Sequence, residues 1–350
     1  MRIGLYGMPS AGKSYLLSQI DFIEVIAGSK LLWEMAPDFD KRDKAGRKKA
    51  REAVAKRLLA KQDFIMDGHY AFGDELAFTK EDGALYDVYI YLYIAPSVLQ
   101  ERMKASDKNQ KYLRYDIEKW QKQEIASLRA YCHTYEKDFY VVDHPPVNTF
   151  ENVTEIVTFL KEIVKGYSCI SYAKKCADKI LKQSKSNSIV LFDGDKTLTK
   201  EDSSRVLLGY HTSVFDGNFY TGYQMWRQYE EFKSYRILFS KEKSIEFHKE
   251  ICKRITEDSY ILTSGHPYIW QHLASELGIP FFGGREMSAE TKYFITKFLQ
   301  RAGKKIIAYG DGMVDYFMLK QAEQGYLVRK SDGFVSQSLK EQDMEGLIFV

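Results

Sequence analysis

Cysteine is scarce and scattered in this chain. The four present, Cys132, Cys169, Cys176 and Cys252, make no Cys-x-x-Cys pair and no repeated spacing. That excludes a disulfide framework and a structural zinc site, and points to free thiols in a reducing compartment. Also missing are a run apolar enough to span a bilayer, an apolar signal core before the first strand, internal repeats and low-complexity tracts. The expectation is a cytoplasmic protein with no membrane partner. Excess charge is lacking too: 51 Lys and Arg against 48 Asp and Glu leave a net +3. A polyanion partner must therefore be read from local clusters and not from the total. What remains is ample core material, 45% hydrophobic over 350 residues, enough for two domains.

Residues 2–6 read as a strand that runs into Gly7-Met8-Pro9-Ser10-Ala11-Gly12-Lys13-Ser14, with an apolar helical stretch over 15–20. This is Gly-x-x-x-x-Gly-Lys-Ser between a strand and a helix, the setting that turns backbone N–H groups onto phosphate oxygens. Lys13 then reaches the β- and γ-phosphates, and Ser14 holds Mg²⁺. Pro9, Ser10 and Ala11 complete the loop. A second strand over 64–66 ends in Asp67, placed either to hold the Mg²⁺ hydration shell, to take the acceptor's proton, or simply to cap its loop. Strands over 88–94 and 139–142 follow, the first leading through Pro96 into a helix with Arg102.

These features resemble the adenylate-kinase-like P-loop kinases over residues 1–165. The resemblance implies ATP as donor, a nucleotide or other small hydroxyl- or phosphate-bearing acceptor, and a lid near 106–120 contributing arginines. Arg102 and Arg114 stand in the matching region, with Arg129 behind them. The run 41–57, opening on Lys41 and closing on Arg57, holds nine basic and two acidic residues. It is either a solvated helix face or a grip for an acceptor phosphate or a nucleic-acid backbone.

Helical patterns over 150–164 and 172–181 and a polar joint at 184–188 place a linker at 166–188. Beyond it, the strand 189–192 opens onto Asp193-Gly194-Asp195-Lys196-Thr197. Two carboxylates that close need a cation between them or a shared proton. Three further strand tips and helix starts follow in order. Thr263-Ser264-Gly265 closes a strand over 260–262. Lys292 opens a helix over 293–301, with Lys297, Lys304 and Lys305 as competitors. Gly310-Asp311-Gly312-Met313-Val314-Asp315 closes a strand over 305–309.

Together these resemble the haloacid-dehalogenase-type phosphatases of the phosphoserine-phosphatase-like branch, over 189–350. The resemblance implies Asp193 as nucleophile and Asp195 as acid/base. It implies Mg²⁺ on the Asp193 carboxylate, the Asp195 backbone carbonyl and Asp311. Ser264 (Thr263 being one position off) and Lys292 fix the phosphoryl group, and Asp315 orients Lys292 or a Mg²⁺-bound water. Lys196 stands where Gly is common, a tolerated variant. Residues 201–258 form a helical cap whose many aromatics make either a small core or a stacking platform for a base.

The expected fold is α/β, with two three-layer domains. The expected function is a bifunctional kinase and Mg²⁺-dependent phosphatase acting on a nucleotide or other small phosphorylated metabolite. The domain order also resembles the bacteriophage polynucleotide kinase-phosphatases, which implies 5′-kinase and 3′-phosphatase end repair as the alternative. A nucleotide-sensing switch is the third, non-enzymatic reading.

Overall fold

The computed structural model describes residues 1–143, 153–235, 244–330 and 333–350. They divide into two compact units, Met1–Tyr167 and Ser168–Val350. Among them no helix is long and apolar enough to cross a membrane.

In the first unit the strands are β1 (Arg2–Tyr6), β2 (Glu24–Ile26), β3 (Phe64–Asp67), the small hairpin β4 (Ala71–Phe72) and β5 (Glu75–Leu76), β6 (Val88–Tyr93) and β7 (Asp138–Asp143). The helices are α1 (Lys13–Ser18), α2 (Gly28–Met35), α3 (Lys44–Leu58), α4 (Lys80–Leu85), α5 (Pro96–Lys104), α6 (Ile117–Tyr135) and α7 (Val153–Val164). Five strands form one parallel sheet in the order β2-β3-β1-β6-β7. Its strands are apolar on both faces, as a parallel sheet covered on both sides requires. Ile3, Leu5, Ile65, Ile90 and Val141 are fully buried. The sequence-predicted helix at 15–20 in fact begins at Lys13, and Phe150 lies outside the described residues.

The second unit contains β8 (Ser188–Phe192), β9 (Ser259–Thr263), β10 (Phe281–Gly283), β11 (Lys305–Gly310), β12 (Gln324–Leu327) and β13 (Ile348–Phe349). Its helices are α8 (Cys169–Gln183), α9 (Ser203–Leu208), α10 (Gly222–Phe232), α11 (Lys249–Cys252), α12 (Pro267–Leu277), α13 (Ala289–Arg301) and α14 (Met313–Gln321). The sheet is six-stranded and parallel, ordered β10-β9-β8-β11-β12-β13. Alternation along β8 splits the core: Ile189 and Leu191 pack with Ile180 of α8 and Phe294 of α13, while Val190 and Phe192 pack with Ile269 and Trp270 of α12. The helix α8 therefore closes one face of this sheet.

Because α8 seals that face, Ile180→Ala should destabilise the second unit by about 2–5 kcal/mol, the range for emptying a buried aliphatic site. A lowered unfolding transition in scanning calorimetry checks it; an unchanged transition would remove α8 from this core.

Candidate active sites

The central strand β1 delivers the first site. Gly7 turns with φ 152°, and a Cβ there would meet the Leu92 carbonyl at 2.8 Å; Gly12 sits at φ 93°, where a side chain is strained. These backbone demands wrap the loop around Lys13, which is only 6% exposed. Its ammonium donates to the carbonyls of Gly7 (2.6 Å) and Met8 (3.1 Å). Burial lowers Lys13 to about 8, against the pull of Asp67 and Glu124. Ser14 is exposed beside it. Both line a cavity of about 810 Å³ together with Pro9, Ser10, Ala11, Gly12 and Asp67.

Asp67 ends β3, and its Oδ1 accepts from the Gly28 backbone N–H at 2.8 Å, so one oxygen caps α2 and the other is left for the cavity. The basic run 41–57 enters α3 from Lys44 onward, capped by Asp43, with Lys41 and Arg42 ahead of the helix. It is two things at once. Arg47 and Arg51 turn inward and line the cavity, both paired with Glu75 (2.8 and 3.2 Å), and Arg51 lies over the rings of Phe39 and Phe72. Lys44, Lys48, Lys49, Lys56 and Arg57 are not in the lining.

The lid arginines separate. Arg114 lines the cavity but stacks on Tyr115 and donates to its hydroxyl at 2.8 Å. Arg102 is absent from that lining. It approaches the Ser10 and Ala11 carbonyls at 3.5 and 3.4 Å, beside a shallow cleft shared with Gly12, Tyr15 and Val153. Arg129 lies over the Phe139 ring, also outside the cavity lining. The lid's lysines Lys108 and Lys111 do line it.

Sequence reasoning missed Glu124 of α6. Almost fully buried, it accepts from Tyr91, Trp120 and the Ala71 backbone. It ties the sheet, α6 and the hairpin together. A buried carboxylate amid tyrosines carries no motif, and only its contacts reveal it.

The second site assembles at the C-terminal tips of β8, β9 and β11. In register, Phe192 lies opposite Tyr309, which puts Asp193 level with Gly310 and Asp311 one residue beyond. Lys292 is wholly buried, donating to Asp193 Oδ1 (2.5 Å) and Asp315 Oδ1 (2.7 Å). Its helix begins at Ala289, capped by Ser288, so Lys292 lies inside the first turn of α13 and not ahead of it. Asp315 also accepts from the N–H groups of Asp311 and Gly312 at 3.3 Å each.

Carboxylate oxygens of Asp193, Asp311 and Asp315 lie within 4.8 Å of one another. One buried ammonium does not balance three carboxylates. Burial first, then Asp315, raises Asp193 well above the usual carboxylate range and Asp311 to about 7. An all-oxygen donor set with surplus negative charge suits a hard divalent cation such as Mg²⁺. The Asp195 carboxylate is committed elsewhere, accepting from the Ser203 N–H (2.7 Å) and Trp270 Nε1 (3.1 Å), which leaves only its backbone carbonyl for a metal. Burial, then the neighbouring Asp202, raises Asp195 to about 6.

Two details differ from expectation. Ser264 Oγ donates to the Met287 carbonyl at 2.6 Å, so to donate to a phosphoryl oxygen it must rotate away; a hydroxyl has one proton. Thr263 Oγ1 meanwhile accepts from the Gly265 N–H. Lys196 is no neutral variant either. It sits at φ 60°, ψ 5°, the left-handed region where only glycine is at ease. The cap aromatics Tyr210, Tyr223, Trp226 and Phe232 are buried, with Tyr210 against Phe232 at 4.8 Å: these form a packed core.

Each unit is thus α/β, a five-stranded parallel sheet in the first and a six-stranded one in the second, with the candidate residues gathered at the strand tips. Among solved structures, shikimate kinase from Bacteroides thetaiotaomicron is similar at 17% identity, over 47% of this chain and 98% of its own, with a TM-score of 0.35. Shikimate kinase from Aquifex aeolicus is similar at 22% over 48% of this chain and all of its own, at 0.30. A HAD family hydrolase from Salmonella enterica serovar Typhi is similar at 17%, over 47% of this chain and 68% of its own, at 0.33. No family model and no curated protein matches.

Two outcomes follow. Lys196→Gly should stabilise the protein by about 1 kcal/mol through relief of the left-handed strain, read as a raised midpoint in urea; a lowered midpoint would show that the lysine holds the fold. Lys13, lowered to about 8, is charged below that pH and loses its proton above it. ATP affinity should therefore weaken between pH 7 and 9, with a flat profile in Lys13→Met, measured by calorimetric titration.

Proposed function

We propose that the chain is a bifunctional phosphoryl-transfer enzyme, an ATP-dependent kinase in the first unit and a Mg²⁺-dependent phosphatase in the second. The observation that carries it is a buried lysine in the first turn of a helix beside the strand tips of each unit: Lys13 of α1, held by its own loop, and Lys292 of α13, clasped by Asp193 and Asp315.

In the kinase, backbone N–H groups of the loop 7–14 (Pro9 has none) and the Lys13 ammonium hold the donor's phosphates, and Ser14 would offer its hydroxyl to Mg²⁺. Arg102, reaching toward the Ser10 and Ala11 carbonyls, braces the phosphate loop from outside the main cavity. Asp67, held by Gly28, takes the proton of the acceptor hydroxyl. Arg47 and Arg51 receive an anionic group of the acceptor in place of Glu75, and Arg114 with Lys108 and Lys111 closes over the transferring group.

In the phosphatase, Asp193 attacks phosphorus and forms an aspartyl-phosphate while the P–O bond to the leaving group breaks. Asp195, which burial raises to about 6, gives a proton to the leaving oxygen from its protonated form. It then takes a proton from the water that cleaves the intermediate. Lys292 neutralises the phosphoryl oxygens, and Asp315 holds Lys292. Asp193 and Asp311 would bind Mg²⁺, which supplies charge to the phosphoryl oxygens.

A second reading, polynucleotide 5′-kinase and 3′-phosphatase, is favoured by the aromatic lining of the first cavity: Trp33, Phe39, Phe72, Tyr112 and Tyr115 offer faces for a base beside Arg51. Its nucleic-acid partner would meet α3.

The decisive experiment is a panel of nucleosides, nucleotides, sugar phosphates and 5′-hydroxyl or 3′-phosphate oligonucleotides. Lys13→Ala should lose ATP-dependent labelling and keep phosphate release; Asp193→Asn should do the reverse, each by about 10³-fold or more. Both activities surviving in both variants would overturn the proposal. Turnover of oligonucleotides alone would establish the second reading.

A further inference from the structure

Two lysines stand at the second site, and they are used differently. Lys292 is wholly buried, and two of its three N–H donors go to Asp193 and Asp315. Lys196 is half-exposed, and Asp202 Oδ2, 3.7 Å from its ammonium, is too far for a hydrogen bond. It nevertheless sits among carboxylates: besides Asp202, its charge feels Asp311, Asp195 and Asp193. The chain keeps this cation at a backbone angle where glycine would be strain-free.

Its place is informative. Lys196 follows Asp195, whose carboxyl serves the departing oxygen, and its partner Asp202 is the N-cap of α9, where the chain enters the cap. Burial raises the Tyr220 hydroxyl, and Lys196 and Asp311 are among the charges it feels. Phe215 stacks on Tyr220 at 5.1 Å and 11°. The lysine thus stands next to the acid/base carboxylate and at the entry to the cap, the side on which the leaving group departs.

We propose that Lys196 is a specificity contact for the leaving group, its ammonium binding a second anionic group, phosphate or carboxylate, that the substrate carries beyond the scissile phosphoester. This rests on the phosphatase reading above. The substrate's anion displaces the long contact with Asp202, and no protein hydrogen bond is broken. The preferred substrates are therefore bisphosphates, or phosphomonoesters with a nearby carboxylate, rather than esters of neutral alcohols.

The test compares a nucleoside 3′,5′-bisphosphate, whose leaving group bears a second phosphate, with para-nitrophenyl phosphate, whose leaving group has none. Steady-state constants are measured for the wild-type chain, Lys196→Gly and Lys196→Arg, with Asp193→Asn as the blank. The ratio of kcat/KM, bisphosphate over para-nitrophenyl phosphate, should fall about tenfold in Lys196→Gly, through KM rather than kcat, and recover in Lys196→Arg. The wild-type ratio should also shrink with added salt. An unchanged ratio in Lys196→Gly overturns the inference while the phosphatase reading stands. Hydrolysis of both substrates that survives in Asp193→Asn, or none by the wild type, overturns that reading and the inference with it.

Discussion

A single ammonium held between two carboxylates, Lys292 between Asp193 and Asp315, organises the second unit. Taking three charges out of water costs more than their attraction returns unless geometry and further hydrogen bonds compensate. The compensation is visible. Asp315 accepts two backbone N–H bonds at the start of α14, Lys292 lies in the first turn of α13, and Asp193 is fixed by its own N–H bond to the Tyr309 carbonyl. Two helices and two adjacent strands are thus pinned to one another by the groups that would do the chemistry.

The first unit solves a related problem with backbone. Lys13 is buried and held by carbonyls of its own loop, those of Gly7 and Met8, in place of carboxylates. That leaves its charge open to an arriving phosphate, and it also explains why burial depresses its pKa, whereas Lys292 is pushed upward by its two partners despite burial. One lysine is kept available and the other is kept engaged.

Local patterns carried most of the fold. The phosphate loop, the strand ending in Asp67, and the tips bearing Asp193, Asp311 and Asp315 were legible because each depends on residues adjacent in sequence and on strand burial. What was not legible depends on partners far along the chain. That Arg47 and Arg51 face inward follows from Glu75 on a hairpin. That Arg102 braces the loop from outside the main cavity, and that Ser264 bonds Met287, follow from packing between elements. The strain at Lys196 is a backbone angle, which no residue type announces. The cap aromatics divided between core and platform only once Tyr210 and Phe232 were seen packed together.

The nucleophilic role of Asp193 is open to one direct measurement. Borohydride reduction of the enzyme during turnover of a phosphomonoester converts an aspartyl-phosphate to homoserine, which peptide mass mapping locates. Modification at Asp193, dependent on both substrate and Mg²⁺, is the predicted result. Modification at a different carboxylate, or none while phosphate is released, would contradict it.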